Sequence, residues 1–263
     1  MKILCYRNSN DFYFESIISC LSKINNSKFQ VGYLSGEVNN KEINEFAPDV
    51  IIHNLPNVDK FPSINNAISI NINETDHSNS FSFNKEGKNK LKPFVNLKDS
   101  TVLSKDVQKF TSDVVYIGSP SVFKSLCDFL TNPHNNIHFK FFTHVPHNIN
   151  GYCGMCDSFD YFRLYKYSKA CLAKKEDVQR IMDIVVSDGN PILFTGSNHD
   201  ECVDLIKEAI ANNRKYSIDG YNKQDIIKND TAFDRLAYIF KTVGLSKLSE
   251  EIIKTKNIHW NTK

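Results

Sequence analysis

Three groups of residues in this 263-residue chain combine side-chain types and spacings that can do chemistry. The first is Asp113-Val-Val-Tyr-Ile-Gly118-Ser119, an apolar run that ends in glycine. Gly118 lets the backbone come close to a phosphate. The free N–H groups of a helix starting just after it can face the anion, and Lys124 in that helix adds a cation. The plain alternative is an ordinary strand-to-helix turn. The full G-x-G-x-x-G fingerprint is missing, which disfavours a dehydrogenase. The second group is Arg180 and Asp183, whose i, i+3 spacing puts both on one helix face. Their bland reading is a surface ion pair worth under ~1 kcal/mol. The third is Asn73-Glu74-Thr75-Asp76-His77, a polar cluster directly after an apolar run. Asp76 there can act as a general base. His77 and His53 compete for that role, because histidine needs less pKa tuning near neutrality. Equally, Asp76 and Asn73 can simply cap a turn.

A rival constellation is His144, His147, Cys153 and Cys156, in the pattern H-x-x-H-x5-C-x-x-C. Two close pairs of nitrogen and sulfur donors suit tetrahedral zinc. The segment between the pairs is short for a zinc knuckle, and no D-x-D triplet stands elsewhere, so the expectation is no metal. A redox C-x-x-C should open the helix of the first βαβ unit, and this one does not.

The elements that would position these residues alternate along the chain. Strands are expected at 2–6, 29–34, 49–53, 67–72 and 92–97, with helices at 11–23 and 40–46, the latter stopped before Pro48. The pattern then restarts. Strands are expected at 113–117, 138–142, 169–173 and 191–195. Helices are expected at 121–130, 157–167, 177–186, 200–212, 233–243 and 246–254. Such alternation implies parallel sheets with helices on both faces. It divides the chain into residues 1–110, residues 111–243, and a final segment 244–263 that packs back on the amino half. Each half is long enough for its own core. Ligands of open parallel sheets bind beyond the carboxyl ends of strands. That rule selects His53-Asn54, 73–77, Gly118-Ser119, 143–147, 174–180 and 195–199.

The stretch 169–194, KACLAKKEDVQRIMDIVVSDGNPILF, resembles the carboxyl half of GT-B glycosyltransferases, especially the spore-coat CgeB-like group and the phage DNA-base glucosyltransferases. The resemblance implies two Rossmann-like domains facing a cleft. It also implies transfer of a sugar from a nucleoside diphosphate sugar, such as a UDP-sugar, to a hydroxyl. Arg180 would grip the diphosphate as a bidentate donor, and the Asp183 carboxylate would accept the ribose hydroxyls. Asp76 sits where the phage enzymes carry their catalytic aspartate. Two departures stand out. The family's E-x7-E element is absent, with Lys175 in the first glutamate's place, and Asp183 replaces the usual glutamate. The missing element tilts the expected stereochemistry toward inversion. The resemblance implies no cofactor beyond the sugar nucleotide. The acceptor stays open between a glycan, a protein and a hydroxymethylated DNA base, as does a non-catalytic binding module.

The composition fits these readings. Hydrophobic residues make 41% and charged residues 24%, ordinary globular values, so disorder is not expected. A net charge of +2 is too mild to argue for nucleic acid by itself. Seven thinly spread cysteines behind no apolar leader suggest a reducing, cytoplasmic setting, the host cytoplasm if the source is viral. No run approaches the ~18 apolar residues of a membrane span.

Overall fold

A computed structural model of the chain describes residues 1–7, 12–24, 28–36, 39–55, 67–72, 81–83, 89, 91–95, 107–118, 124–143, 146, 148–156 and 160–260. It is an α/β fold of two Rossmann-like units. The first comprises residues 1–96 and 230–263, the second residues 97–229.

In the first unit, β1 (Lys2–Arg7), β2 (Gln30–Ser35), β3 (Val50–His53), β4 (Ile68–Ile72) and β5 (Phe81–Phe83) form one parallel sheet in the order β2-β1-β3-β4-β5. The central strands are short continuous apolar runs because they are covered on both faces. Alternation along β1 sorts the two cores. Ile3 and Cys5 join Phe14, Ile17 and Leu21. Leu4 meets Ile43 on the opposite face. The first group lies on or beside α1 (Phe12–Ser19), and Ile43 lies on α2 (Asn40–Phe46). Asn39 caps α2, accepting from the N–H groups of Lys41 and Glu42. The helix stops at Ala47, in the left-handed region at φ 49°, just before Pro48.

In the second unit, β6 (Ser112–Ile117), β7 (Phe139–Phe142), β8 (Ser168–Lys174) and β9 (Pro191–Phe194) are again parallel, in the order β7-β6-β8-β9. Val114, Tyr116, Leu172 and Phe194 pack toward α3 (Lys124–Thr131) and α6 (His199–Asn212). Val115, Cys171 and Ala173 pack toward α4 (Asp160–Tyr167) and α5 (Val178–Val186). Asn190, 1% exposed, pins the β8–β9 side. It donates to the carbonyls of Lys169 (2.6 Å) and Arg214 (2.8 Å) and accepts from the Tyr216 N–H (2.8 Å).

Three differences from the sequence expectation have physical causes. Residues 91–95 make no strand; Val95 forms one isolated parallel bridge to Thr231. The strand Phe81–Phe83 and the helix α7 (Lys223–Asn229) are too short to register as periodic signals. The sequence reading drew its last boundary at 243/244, whereas α8 (Ala232–Thr242) already belongs to the first unit together with α9 (Ser246–Trp260). Phe233, Leu236 and Phe240 of α8 share a core with Ile17 and Leu21. Periodicity marks such a stripe as buried but does not say in which core. No described helix is long and apolar enough to cross a membrane.

One buried ion pair joins the two returning helices. Lys256 Nζ lies 2.7 Å from both carboxylate oxygens of Asp234. The same carboxylate accepts from the Thr231 N–H and hydroxyl in a capping box. Removing one partner strands the other charge, which costs about 3–5 kcal/mol in buried pairs. We expect Lys256→Met to lower unfolding stability by about 3 kcal/mol, read by urea denaturation. A loss below ~0.5 kcal/mol would show that the pair does not hold α9 in place.

Candidate functional site

Both sheets reverse winding direction beside their first strand. A doubly wound sheet opens a crevice at that point, beyond the carboxyl ends of the flanking strands. In the second unit those strands are β6, which runs into Gly118, and β8, which ends at Lys174. The Gly118 N–H donates to the Phe142 carbonyl at 2.9 Å, so the glycine continues the sheet pairing. A Cβ there would lie 2.7 Å from the Tyr116 hydroxyl oxygen and 2.9 Å from its ring. The Tyr116 ring therefore lies against the Cα of Gly118, a close approach that a residue without a side chain allows. Tyr116 is itself held by rings, parallel to Phe141 at 5.9 Å and edge-on to Phe194 at 5.8 Å. Burial pushes its hydroxyl up to about 12, against the pull of Arg180 and with a smaller push from Asp177.

Across the crevice, α5 begins after Asp177. One carboxylate oxygen of Asp177 accepts the Arg180 backbone N–H at 3.1 Å and caps the helix. Its second oxygen accepts from Arg180 Nε, also at 3.1 Å. Arg180 Nη1 donates to the Tyr165 hydroxyl at 3.1 Å. Among the described residues, nothing bonds Nη2. The guanidinium is therefore anchored at two nitrogens and open at the third, with its side chain 25% exposed. Lys174 and Lys175, both exposed, stand at the end of β8.

Asp183 shares the helix but does not pair with Arg180, so the two are no simple surface ion pair. It is 8% exposed and accepts from Gln179 Nε2 at 3.3 Å. Burial raises its carboxyl to about 8, against the opposing pull of Arg180 and the Gln179 hydrogen bond. At neutral pH it is mostly the neutral acid, able both to donate and to accept. The resemblance implies a carboxylate here; burial shifts the group toward its neutral form.

Other expected residues fall differently. Asp76, His77, Ser119, His144 and His147 lie outside the described residues, and Lys124 opens α3 with its side chain outside them. Cys153 is exposed, with its thiol on the Gly151 carbonyl at 3.2 Å. Cys156 packs instead beside the core that holds Tyr161 and Phe162. Among the described residues, no three His, Cys, Asp or Glu side chains gather as a metal site. His53 ends β3, at the equivalent crevice of the first unit. It is 0% exposed, takes the Leu55 N–H on Nδ1 (3.4 Å), and sets Nε2 3.1 Å from the Ser69 hydroxyl. With both ring nitrogens engaged in the interior, His53 ties strand ends together and is not placed to be a base. Asn71 beside it is fully buried, with Nδ2 on the Leu55 carbonyl.

Sequence reasoning missed Tyr116, Tyr165 and the double role of Asp177. The signal for Asp177 was present: an acidic residue three before Arg180, at the start of an apolar-periodic run.

Asp183 makes a pH prediction. Its folded value, about 8, stands above the ordinary 3.8. The folded chain thus holds this proton more tightly than the unfolded chain. The resulting stability is fully present below about pH 4 and is lost as pH rises through about 8. We expect wild-type stability from this group to fall by up to ~1.4 kcal/mol per pH unit within that window. Asp183→Asn, neutral at every pH, should remove that slope. Denaturant midpoints that track each other across the range would refute the assignment.

No family model matches the chain, and none of the curated proteins matches it. Some solved structures are similar over most of its length. An α1,3-fucosyltransferase with GDP is 14% identical, covers 92% of this chain and 90% of that chain, and gives a TM-score of 0.42. The S. aureus MnaA–UDP co-structure is 10% identical over 100% of this chain and 97% of that one, with a TM-score of 0.49. The glycosyltransferase VinC in complex with DTDP is 9% identical over 98% and 100%, with a TM-score of 0.39. At this level of similarity the fold and the site rest on the strand order and side-chain geometry of the chain itself.

Proposed function

We propose that the chain is a GT-B-like glycosyltransferase that takes a sugar from a nucleoside diphosphate sugar and seats the diphosphate at the β6–β8 crevice. The observation that carries this reading is the open end of the Arg180 guanidinium, in the first turn of the helix that follows β8 at the topological switch point. Guanidinium and phosphate match as bidentate partners. The α5 N-terminus adds its positive end, and Lys174 and Lys175 add long-range attraction. Protonated Asp183 on the same helix can give one hydrogen bond and take another from the ribose diol. Within 169–194, the motif also supports kinship with the CgeB-like and phage base glucosyltransferases.

In the transfer, the acceptor hydroxyl attacks the anomeric carbon and the bond to the diphosphate oxygen breaks. Arg180 and the helix terminus stabilise the negative charge that develops on the leaving group, a role that needs no metal. Asp76 would take the hydroxyl proton, with His77 as the alternative base; both assignments rest on the sequence motif. Inversion is the stereochemistry we expect, supported only by the missing E-x7-E element. A glycan, a protein or a hydroxymethylated DNA base each fits this scheme as acceptor.

Three measurements test the reading. Hydrogen bonds to charged groups contribute ~1.5–3 kcal/mol, so Arg180→Ala should weaken UDP or GDP roughly tenfold to a hundredfold in calorimetry. Equal binding by variant and wild type would remove the donor site from this crevice. Asp76→Asn should cut turnover ~10²-fold or more with nucleotide affinity intact. An active Asp76→Asn beside a dead His77→Ala would move the base to the histidine. For the metal, transfer rates with and without EDTA should agree. A rate abolished by chelation and restored by a divalent cation would overturn the metal-free scheme.

A further inference from the structure

We propose that Tyr165 is a positioning residue: its hydroxyl braces the Arg180 guanidinium so that the open nitrogen is already aimed when a diphosphate arrives. This rests on the donor-site reading and adds a residue to it. An unrestrained arginine carries about 2 kcal/mol of rotamer entropy, which binding would have to overcome. Here two contacts from different elements remove most of that freedom. Asp177, in the turn after β8, holds Nε at 3.1 Å, and Tyr165, on α4, holds Nη1 at 3.1 Å. Two fixed nitrogens define the plane of the guanidinium, and the plane defines where Nη2 points.

Tyr165 is suited to the task because it cannot move. It is 1% exposed, its ring lies edge-on to Tyr161 at 5.9 Å, and its backbone carbonyl accepts from the Cys171 thiol at 3.2 Å. Burial keeps the phenol protonated far above its ordinary range, against the pull of Arg180. A neutral oxygen orients the guanidinium without cancelling its charge. A second carboxylate in the same place would orient it equally well and repel the diphosphate. The one ionised partner, Asp177, is also the helix cap, and its side chain is 37% exposed, so solvent weakens its competition with an incoming anion.

Tyr165→Phe is the decisive variant, since it keeps the buried ring and deletes one oxygen. The probes are GDP, UDP and inorganic pyrophosphate, with guanosine and uridine as phosphate-free controls. We expect the Kd of all three phosphate probes to rise about threefold to tenfold, the scale of one hydrogen bond, with the nucleosides unmoved. In an Arg180→Ala background, Tyr165→Phe should have no further effect, because there is nothing left to brace. Unchanged phosphate affinity in Tyr165→Phe, or equal losses for nucleosides and diphosphates, would overturn the brace alone. A wild-type protein that binds none of the phosphate probes would overturn the donor site and the brace together.

Discussion

Parallel strands cannot be joined by tight turns, and this constraint shapes everything else in the chain. Each connection must cross over the sheet, usually through a helix, and right-handed crossovers place successive connections on one face until the winding reverses. Both units reverse beside their first strand, giving the same 2-1-3-4 order in each. Reversal sends two neighbouring connections to opposite faces and leaves a gap at the carboxyl ends between them. In the second unit β6 runs out at Gly118 on one side of that gap, and α5, capped by Asp177, starts after β8 on the other. Topology thus nominates a place for a ligand before any side chain is considered.

The charges around that gap are arranged so that few of them cancel. Arg180 is ionised at any accessible pH. Its neighbours are one carboxylate that doubles as a helix cap, two phenols that burial holds neutral, and an aspartic acid that burial also holds largely neutral. Low polarity does two things here: it suppresses the competing negative charges, and it strengthens the attraction of the remaining cation for an anion.

Much of this could be read from the residues, and what was missed follows a pattern. The runs at 2–6, 49–53, 113–117 and 169–173 announced parallel strands because burial on both faces leaves few polar positions, most of them at the strand ends. The places of Gly118, directly after β6, and Arg180, in the first turn of α5, were legible because strand and helix ends follow the apolar pattern. Tyr165 was not, since its distance from Arg180 is set by how α4 crosses β8, and no periodicity reports a crossing. Asp183 was placed on the right helix but with the wrong charge, because ionisation depends on burial that emerges only when α4 and α5 pack. His53 misled for the converse reason: a histidine after a strand has the right chemistry, but here it was spent on tying β3 to β4.

The return of α8 and α9 to the first unit has a consequence for the order of folding. The second unit is continuous in sequence, so all its strands and helices are available once residue 229 has been synthesised. The first unit is split around it. Leu236, Phe240 and Ile252 fill a core whose other half, Ile3, Phe14 and Ile17, is made more than two hundred residues earlier. During synthesis that half must wait with its apolar face uncovered, and contacts of such sequence separation form slowly. The finished fold can therefore be stable and still be slow to reach, because its last core contacts wait on α8 and α9.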